Sequence, residues 1–322
     1  MIAPIKTEPV FKQYIWGGSA LKDKYGKNIK DNFAAESWEI SCHDDGLSLV
    51  AEGEHKGKTL REVIMADKEN MLGCDIDEFP LLVKFLDANS NLSVQVHPDD
   101  EFAELHENGS LGKTEMWYVI DAKPDAKLVY GLKNGTTREQ FKKAIEDGTL
   151  EELLNFVPVK AGDTFFIPAK TIHAICEGLL IAEIQQSSNT TYRVYDYNRV
   201  DKDGNKRELH TEKAIMVSNL DDIEGKEKAV PHTTMVNDTE VSCLVHCDYF
   251  AVTKYNVKTE FNIINSTYEL FNCLEGSGRI EYDGGYMDFK AGDSIFIPAA
   301  IGFYTIKGKT EVLVSYVPKK SE

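Results

Sequence analysis

Between residues 92 and 100 the chain reads Leu-Ser-Val-Gln-Val-His-Pro-Asp-Asp. Strand side chains alternate between faces, so Gln95 and His97 point one way while Val94 and Val96 point the other. Pro98 ends the ladder because it has no N–H to donate. In Lys113-Thr114-Glu115-Met116-Trp117-Tyr118, Lys113, Glu115 and Trp117 share one face, and Met116 and Tyr118 the other. A third metal-capable group, His173, follows the apolar segment 164–167 and the break at Pro168. Imidazole, carboxylate and an amide oxygen together suit a borderline divalent ion such as zinc. A lone Gln-x-His at a strand end is an ordinary surface feature. The pattern gains meaning only if strands of one small barrel aim His97, Glu115 and His173 inward.

The elements that must position these groups are mostly strands. Lys160-Ala-Gly-Asp-Thr-Phe-Phe-Ile-Pro-Ala169 recurs as Lys290-Ala-Gly-Asp-Ser-Ile-Phe-Ile-Pro-Ala299. Two copies of one turn–strand–turn unit, a domain apart, predict two related barrels. The first copy leads to His173, whereas the second leads to Gly302-Phe303-Tyr304, so one metal per chain is expected. The mainly β fold is therefore read as two cupin (double-stranded β-helix) barrels: a metal-binding domain over 1–235 and a second barrel over 236–322. Charged and polar residues at 218–240, with Pro231, place the boundary. A helical insertion is predicted at about 136–156, with Thr136 and Glu139 as a capping box and Gly148 dividing it in two. Thr59 with Glu62 starts another helix, and Asp99 to Glu107 a short acidic one closed by Asn108-Gly109.

A net charge of −17 argues against nucleic acid or an anionic membrane as a partner, but not against one small anionic substrate. The six cysteines form no CxxC pair and read as reduced thiols of a cytoplasmic protein. No signal peptide and no membrane-spanning apolar run is apparent. His43, His55, His106, His210, His232 and His246 read as surface or core residues rather than participants.

Several motifs in order carry a resemblance. Tyr14-Ile-Trp-Gly-Gly18, Glu36-Ser-Trp-Glu-Ile-Ser41, Phe79-Pro-Leu-Leu-Val-Lys84, Ser93-Val-Gln-Val-His-Pro-Asp99, Lys113-Thr-Glu-Met-Trp117 and Tyr192-Arg-Val-Tyr-Asp-Tyr197 resemble the type I mannose-6-phosphate isomerases, in their short bacterial form. The resemblance implies an enzyme interconverting mannose 6-phosphate and fructose 6-phosphate by proton transfer through an enediol(ate). It implies zinc on Gln95, His97, Glu115 and His173, and catalytic roles for Arg193, Glu183 and Lys113. It also implies contacts from Ser93, Lys84 and Arg199 to the hexose 6-phosphate.

Residue chemistry alone leaves alternatives for these positions. Arg193 is otherwise an ion pair with Asp196 or Glu183, and Lys113 one with Glu115 or Glu36. Glu183 interrupts an apolar strand, and desolvation would raise its pKa toward a useful value. Lys113 and a zinc-bound water compete with it for the base. A non-catalytic sugar-phosphate-binding bicupin and an iron-dependent cupin oxygenase are the competing functions. Gln95 in place of a first histidine, with Glu115 eighteen positions after His97, departs from the usual cupin iron motif. Nothing in the sequence sets the oligomeric state.

Overall fold

The computed structural model describes residues 2–74, 76–200, 203–221 and 228–319. Two β-barrels dominate it. The first closes a six-stranded sheet over a five-stranded one. The six-stranded sheet runs in the order Thr164–Ile167, Glu115–Ala122, Leu179–Gln186, Leu81–Ala88, Glu36–Ile40 and Val10–Lys12. The five-stranded sheet runs Leu154–Pro158, Lys127–Leu132, His173–Ile175, Val94–Val96 and Tyr192–Tyr195.

Burial on both faces explains the apolar runs in the central strands. Leu81–Ala88 and Leu179–Gln186 are buried at every position. One face, with Leu86, Trp117, Val119 and Ile181, fills the first barrel together with Tyr130 and Phe165. The opposite face, with Val83, Phe85, Met116, Ala182 and Ile184, packs on Leu270, Phe296 and Leu313 of the second barrel. This packing between the barrels is the largest hydrophobic cluster. It leaves Lys84 and Glu183, on the inner face, as charges inside a barrel.

Strand pairing crosses the expected division at 235/236. His232–Val236 forms a hairpin with Thr239–His246, and Ile5–Glu8 pairs with Ser294–Ile297 of the second barrel. Part of the anticipated linker, 222–227, lies outside the described residues; Lys228 reaches back to pair with Asp163 at 2.6 Å. In the second barrel the long strands Glu269–Tyr282 and Phe303–Tyr316 pair over most of their length. At Gly308 (φ +135) an added Cβ would meet the Ser277 carbonyl oxygen at 2.5 Å, so only glycine lets the two backbones bend together there.

The helical insertion is shorter than its sequence pattern suggests. One helix, Arg138–Asp147, is capped by Thr137 with Gln140, one residue later than expected, and stopped by Gly148 in the left-handed region. The second half is a single 3-10 turn, Leu150–Leu153, after which Leu154 already enters a strand. Leucines there serve a sheet because Phe141, Leu150 and Leu154 all join the cluster covering the outer face of the five-stranded sheet. A second covering helix, Thr211–Val217, was not anticipated. The capping box of Thr59 with Glu62 forms as read. The acidic helix is Asp100–His106, with Asp99 outside it as the N-cap and Glu107 as the C-cap, and Asn108 and Gly109 follow with positive φ.

Candidate active site

Directly opposed residues of antiparallel strands present their side chains on one face. In the five-stranded sheet His173 lies opposite Gln95, and Gln95 opposite Arg193. In the six-stranded sheet Trp38, Lys84, Glu183 and Trp117 form a row. Gln185 and Glu115 lie two residues along and so face the same way. The two rows meet across the barrel.

His97, Glu115 and His173 converge, fully buried, with their ligand atoms all within 4.8 Å of one another. Glu115 Oε2 is 3.6 Å from His97 Nε2, and Oε1 is 3.4 Å from His173 Nε2. The imidazoles are oriented from behind. His97 Nδ1 is 2.8 Å from the Thr190 carbonyl, and His173 Nδ1 2.9 Å from that of Thr171. A carbonyl only accepts, so each Nδ1 carries the proton and each Nε2 turns a lone pair to the common centre. Burial, then Lys113, holds both rings below the usual imidazole range, His173 at about 4, so both are neutral near pH 7. Burial, reinforced by Glu183, raises Glu115. Its Oε1 is buried without a hydrogen-bond partner. An unsatisfied carboxylate oxygen between two deprotonated Nε2 atoms is what a divalent cation would complete, so the donor set fits zinc. Gln95 stands beside it, its Nε2 3.3 Å from His173 Nε2; a half-turn of the amide brings Oε1 there instead.

Two lysines and a second carboxylate adjoin this group. Lys113 pairs with Glu115 and lies 3.1 Å from His97 Nε2 and 3.9 Å from Glu183 Oε1. Lys84 contacts Glu183 at 3.3 Å and Glu36 at 3.7 Å, over the Trp38 ring. Burial opposes the Lys84 charge, but Glu36, Glu183 and Glu115 more than offset it and keep it protonated. Trp117 Nε1 donates to Glu183 Oε2 at 2.9 Å. Burial alone would raise Glu183, as its strand position suggested. Lys113 and Lys84 together outweigh that, and the carboxyl is lowered and ionised.

Arg193 forms neither ion pair considered for it; its NH1 donates to the Glu208 carbonyl at 2.7 Å. Lys84, Lys113, Glu183 and Arg193 line one cavity of about 260 Å³ with Ser93, Gln95, Tyr14, Trp16, Glu36, Asn189 and Arg207, and the His97–Glu115–His173 group is buried behind Lys113 and Gln95. That volume is small for a drug-sized ligand and suits a compact polar one. A larger cleft of about 860 Å³, between the N-terminal strand and Tyr286, contains none of these residues. Arg199 does not line the 260 Å³ cavity: its guanidinium is taken by Asp196 and the Asn91 carbonyl. Arg207, which does, was not singled out in the sequence, because no motif or strand period marks it.

Fold and site together define a two-barrel cupin whose first barrel can take a metal. Residues 5–142 match the family model for the phosphomannose isomerase type I catalytic domain, and 240–317 that for the mannose-6-phosphate isomerase cupin domain. The chain belongs to this family. It is 44% identical over 98% of its length to all of GmuF, a probable mannose-6-phosphate isomerase of Bacillus subtilis, and 42% identical over 98% to ManA of the same organism, covering 99% of that protein. A crystal structure of mannose 6-phosphate isomerase from Bacillus subtilis superposes with a TM-score of 0.92 at 38% identity, over 98% of this chain and 100% of that one. A zinc-bound mannose 6-phosphate isomerase, 18% identical, shares the fold with a TM-score of 0.82. No described helix is long and apolar enough to cross a membrane.

Proposed function

We propose that the chain is a zinc-dependent aldose–ketose isomerase that interconverts mannose 6-phosphate and fructose 6-phosphate. The observation that carries the reading is the buried His97–Glu115–His173 group, which Lys113 and Gln95 touch directly while lining the small cavity shared by Glu183, Lys84 and Arg193. His97, Glu115 and His173, with Gln95 as a fourth ligand, would hold the ion. When bound, zinc supplies Lewis acidity that stabilises negative charge on the sugar oxygens.

The chain's own residues account for the proton movements. Isomerisation takes a proton from C2 of the open aldose and returns it to C1, while a hydroxyl proton passes from O2 to O1. Glu183 is ionised and aimed by Trp117, so it can accept the carbon proton and give it back. Two ammonium groups lower its basicity and at the same time stabilise charge developing next to it. Lys113 stands within reach of both carboxylates and is the second candidate for moving a proton at the oxygens. The planar fork of Arg193 suits an oxyanion or a phosphoryl oxygen. A cavity of this size would hold the reacting carbons close to the base.

Zinc-loaded protein should convert mannose 6-phosphate to fructose 6-phosphate, lose this on chelation and regain it with zinc. A folded, metal-loaded sample without turnover would overturn the reading. Stoichiometric iron with oxygen consumption would point instead to an oxygenase.

A further inference from the structure

The cavity is electrostatically divided. At the metal end two lysines face three carboxylates, Glu36, Glu115 and Glu183. Beyond Gln95 the balance reverses. Asp196, buried, receives Arg207 through two hydrogen bonds, Nε to Oδ2 at 2.8 Å and NH2 to Oδ1 at 2.6 Å. The same carboxylate takes Arg199 from another side. With Arg193 next to them, three guanidinium charges meet one buried carboxylate, leaving two uncompensated; the remaining nearby carboxylate, Glu208, is mostly exposed.

The three arginines are not equivalent. Arg199 is spent on Asp196 and on the Asn91 carbonyl, away from the cavity lining. Arg193 lines the cavity and has a buried Nε with no hydrogen-bond partner. Arg207 also lines it, and its bidentate grip on Asp196 fixes the plane of the guanidinium while leaving NH1 without a partner among the described residues. Burial, and then Arg207, lowers the Arg193 pKa against the opposing pull of Asp196, as expected where cations outnumber the one buried anion. Two unmatched positive charges and unused N–H donors at one end of a small cavity match a phosphoryl dianion.

We propose that Arg207, oriented by Asp196, binds the substrate's phosphoryl group together with Arg193, and that Arg199 only braces Asp196 from behind. This rests on the sugar-phosphate reading of the cavity and names the residue that selects phosphorylated over free sugar. It reassigns the role expected of Arg199.

The test uses the zinc-loaded full chain, with mannose 6-phosphate as substrate and inorganic phosphate as competing probe. Arg207→Met should raise both the KM and the inhibition constant of phosphate about 10- to 100-fold, the scale of a lost charge-assisted contact. Its kcat should stay within about threefold. Arg207→Gln, which keeps an amide donor for Asp196, should show the same split, so a folding defect in one variant cannot mimic the result. Arg207→Lys should recover part of the affinity. Arg199→Met should raise KM less than Arg207→Met. Unchanged KM and phosphate inhibition in Arg207→Met, a fall in kcat alone, or a larger effect at Arg199 would each overturn the assignment while leaving the isomerase reading intact. Calorimetric titration with inorganic phosphate needs no turnover. Binding by the parent and not by Arg207→Met would uphold the anion site even if mannose 6-phosphate were not isomerised.

Discussion

The repeated unit folds the same way in both barrels, down to its hydrogen bonds. Asp163 accepts from the Lys160 N–H at 3.0 Å, and Asp293 from that of Lys290 at 3.1 Å. Gly162 and Gly292 take φ of +87 and +88 and donate to the carbonyls of Val119 and Cys273, each at 2.8 Å. Ile167 then lies opposite Glu115, and Ile297 opposite Glu269. The second barrel therefore keeps a carboxylate at the place of the metal-site glutamate, a correspondence the loop sequence after Pro298 does not reveal. On the facing strands His173 pairs with Gln95, and the inward Tyr304 pairs with Ile263, which puts Asn265 where His97 would be. Tyr304 donates to Glu269 Oε2 at 2.8 Å, and Asn265 binds the Thr267 and Pro298 carbonyls. One backbone thus holds two settings for a buried carboxylate: in one barrel a lysine and two imidazole Nε2 atoms, in the other a single phenol.

That contrast can be broken in stages. The largest effect belongs to the first barrel. Glu115→Gln or His173→Ala should abolish metal retention and cut turnover of mannose 6-phosphate by at least about 10³-fold, whereas Glu269→Gln should leave turnover within about twofold; metal analysis and steady-state rates decide. Next, Glu183→Gln should lower kcat by about 10²–10⁴-fold with the metal retained, because a positioned proton acceptor is lost but no ligand is. A gain of function tests the equivalence directly. Asn265→His combined with Tyr304→His should raise bound zinc from one to two per chain, and a count that stays at one would break the correspondence.

The smallest effect concerns pH. Burial pushes Glu269 up to about 7 against the opposing hydrogen bond from Tyr304. The folded chain then holds this proton more tightly than the unfolded one, whose carboxyl titrates near 4.5. The associated stability is complete below that value and is lost as pH rises through about 7. Relative to the parent, Glu269→Gln should therefore gain on the order of 3 kcal/mol between pH 4.5 and pH 8, read from denaturant unfolding at each pH.

Much of this site was legible before any coordinates. Alternation alone put Gln95 with His97 and Lys113 with Glu115 on common faces, and the repeat announced a second barrel. Less legible was anything set by a distant backbone group. The Nδ1 contact of His97 goes to the carbonyl of Thr190, in a loop far along the chain. The ionised state of Glu183 depends on Lys113 and Lys84, which stand far from it in the chain, on or beside adjacent strands of the barrel. A reading of its strand neighbours, which sees desolvation but not its counter-charges, gets that sign wrong. The second half of the insertion failed for a related reason: leucines at 150, 153 and 154 suit a helix or a sheet-covering turn equally, and the sheet decided.

The sequence by itself determined which side chains face together and which kinds of chemistry they can perform, since strand periodicity and turn residues are local properties of the chain. Only the tertiary structure decided which charges meet: that Asp196 grips Arg207 toward the cavity and Arg199 away from it, and that Glu269 finds a phenol where Glu115 finds imidazoles. Electrostatic partnership depends on distances across the barrel, and those distances exist only once strands far apart in the chain have closed around a common interior.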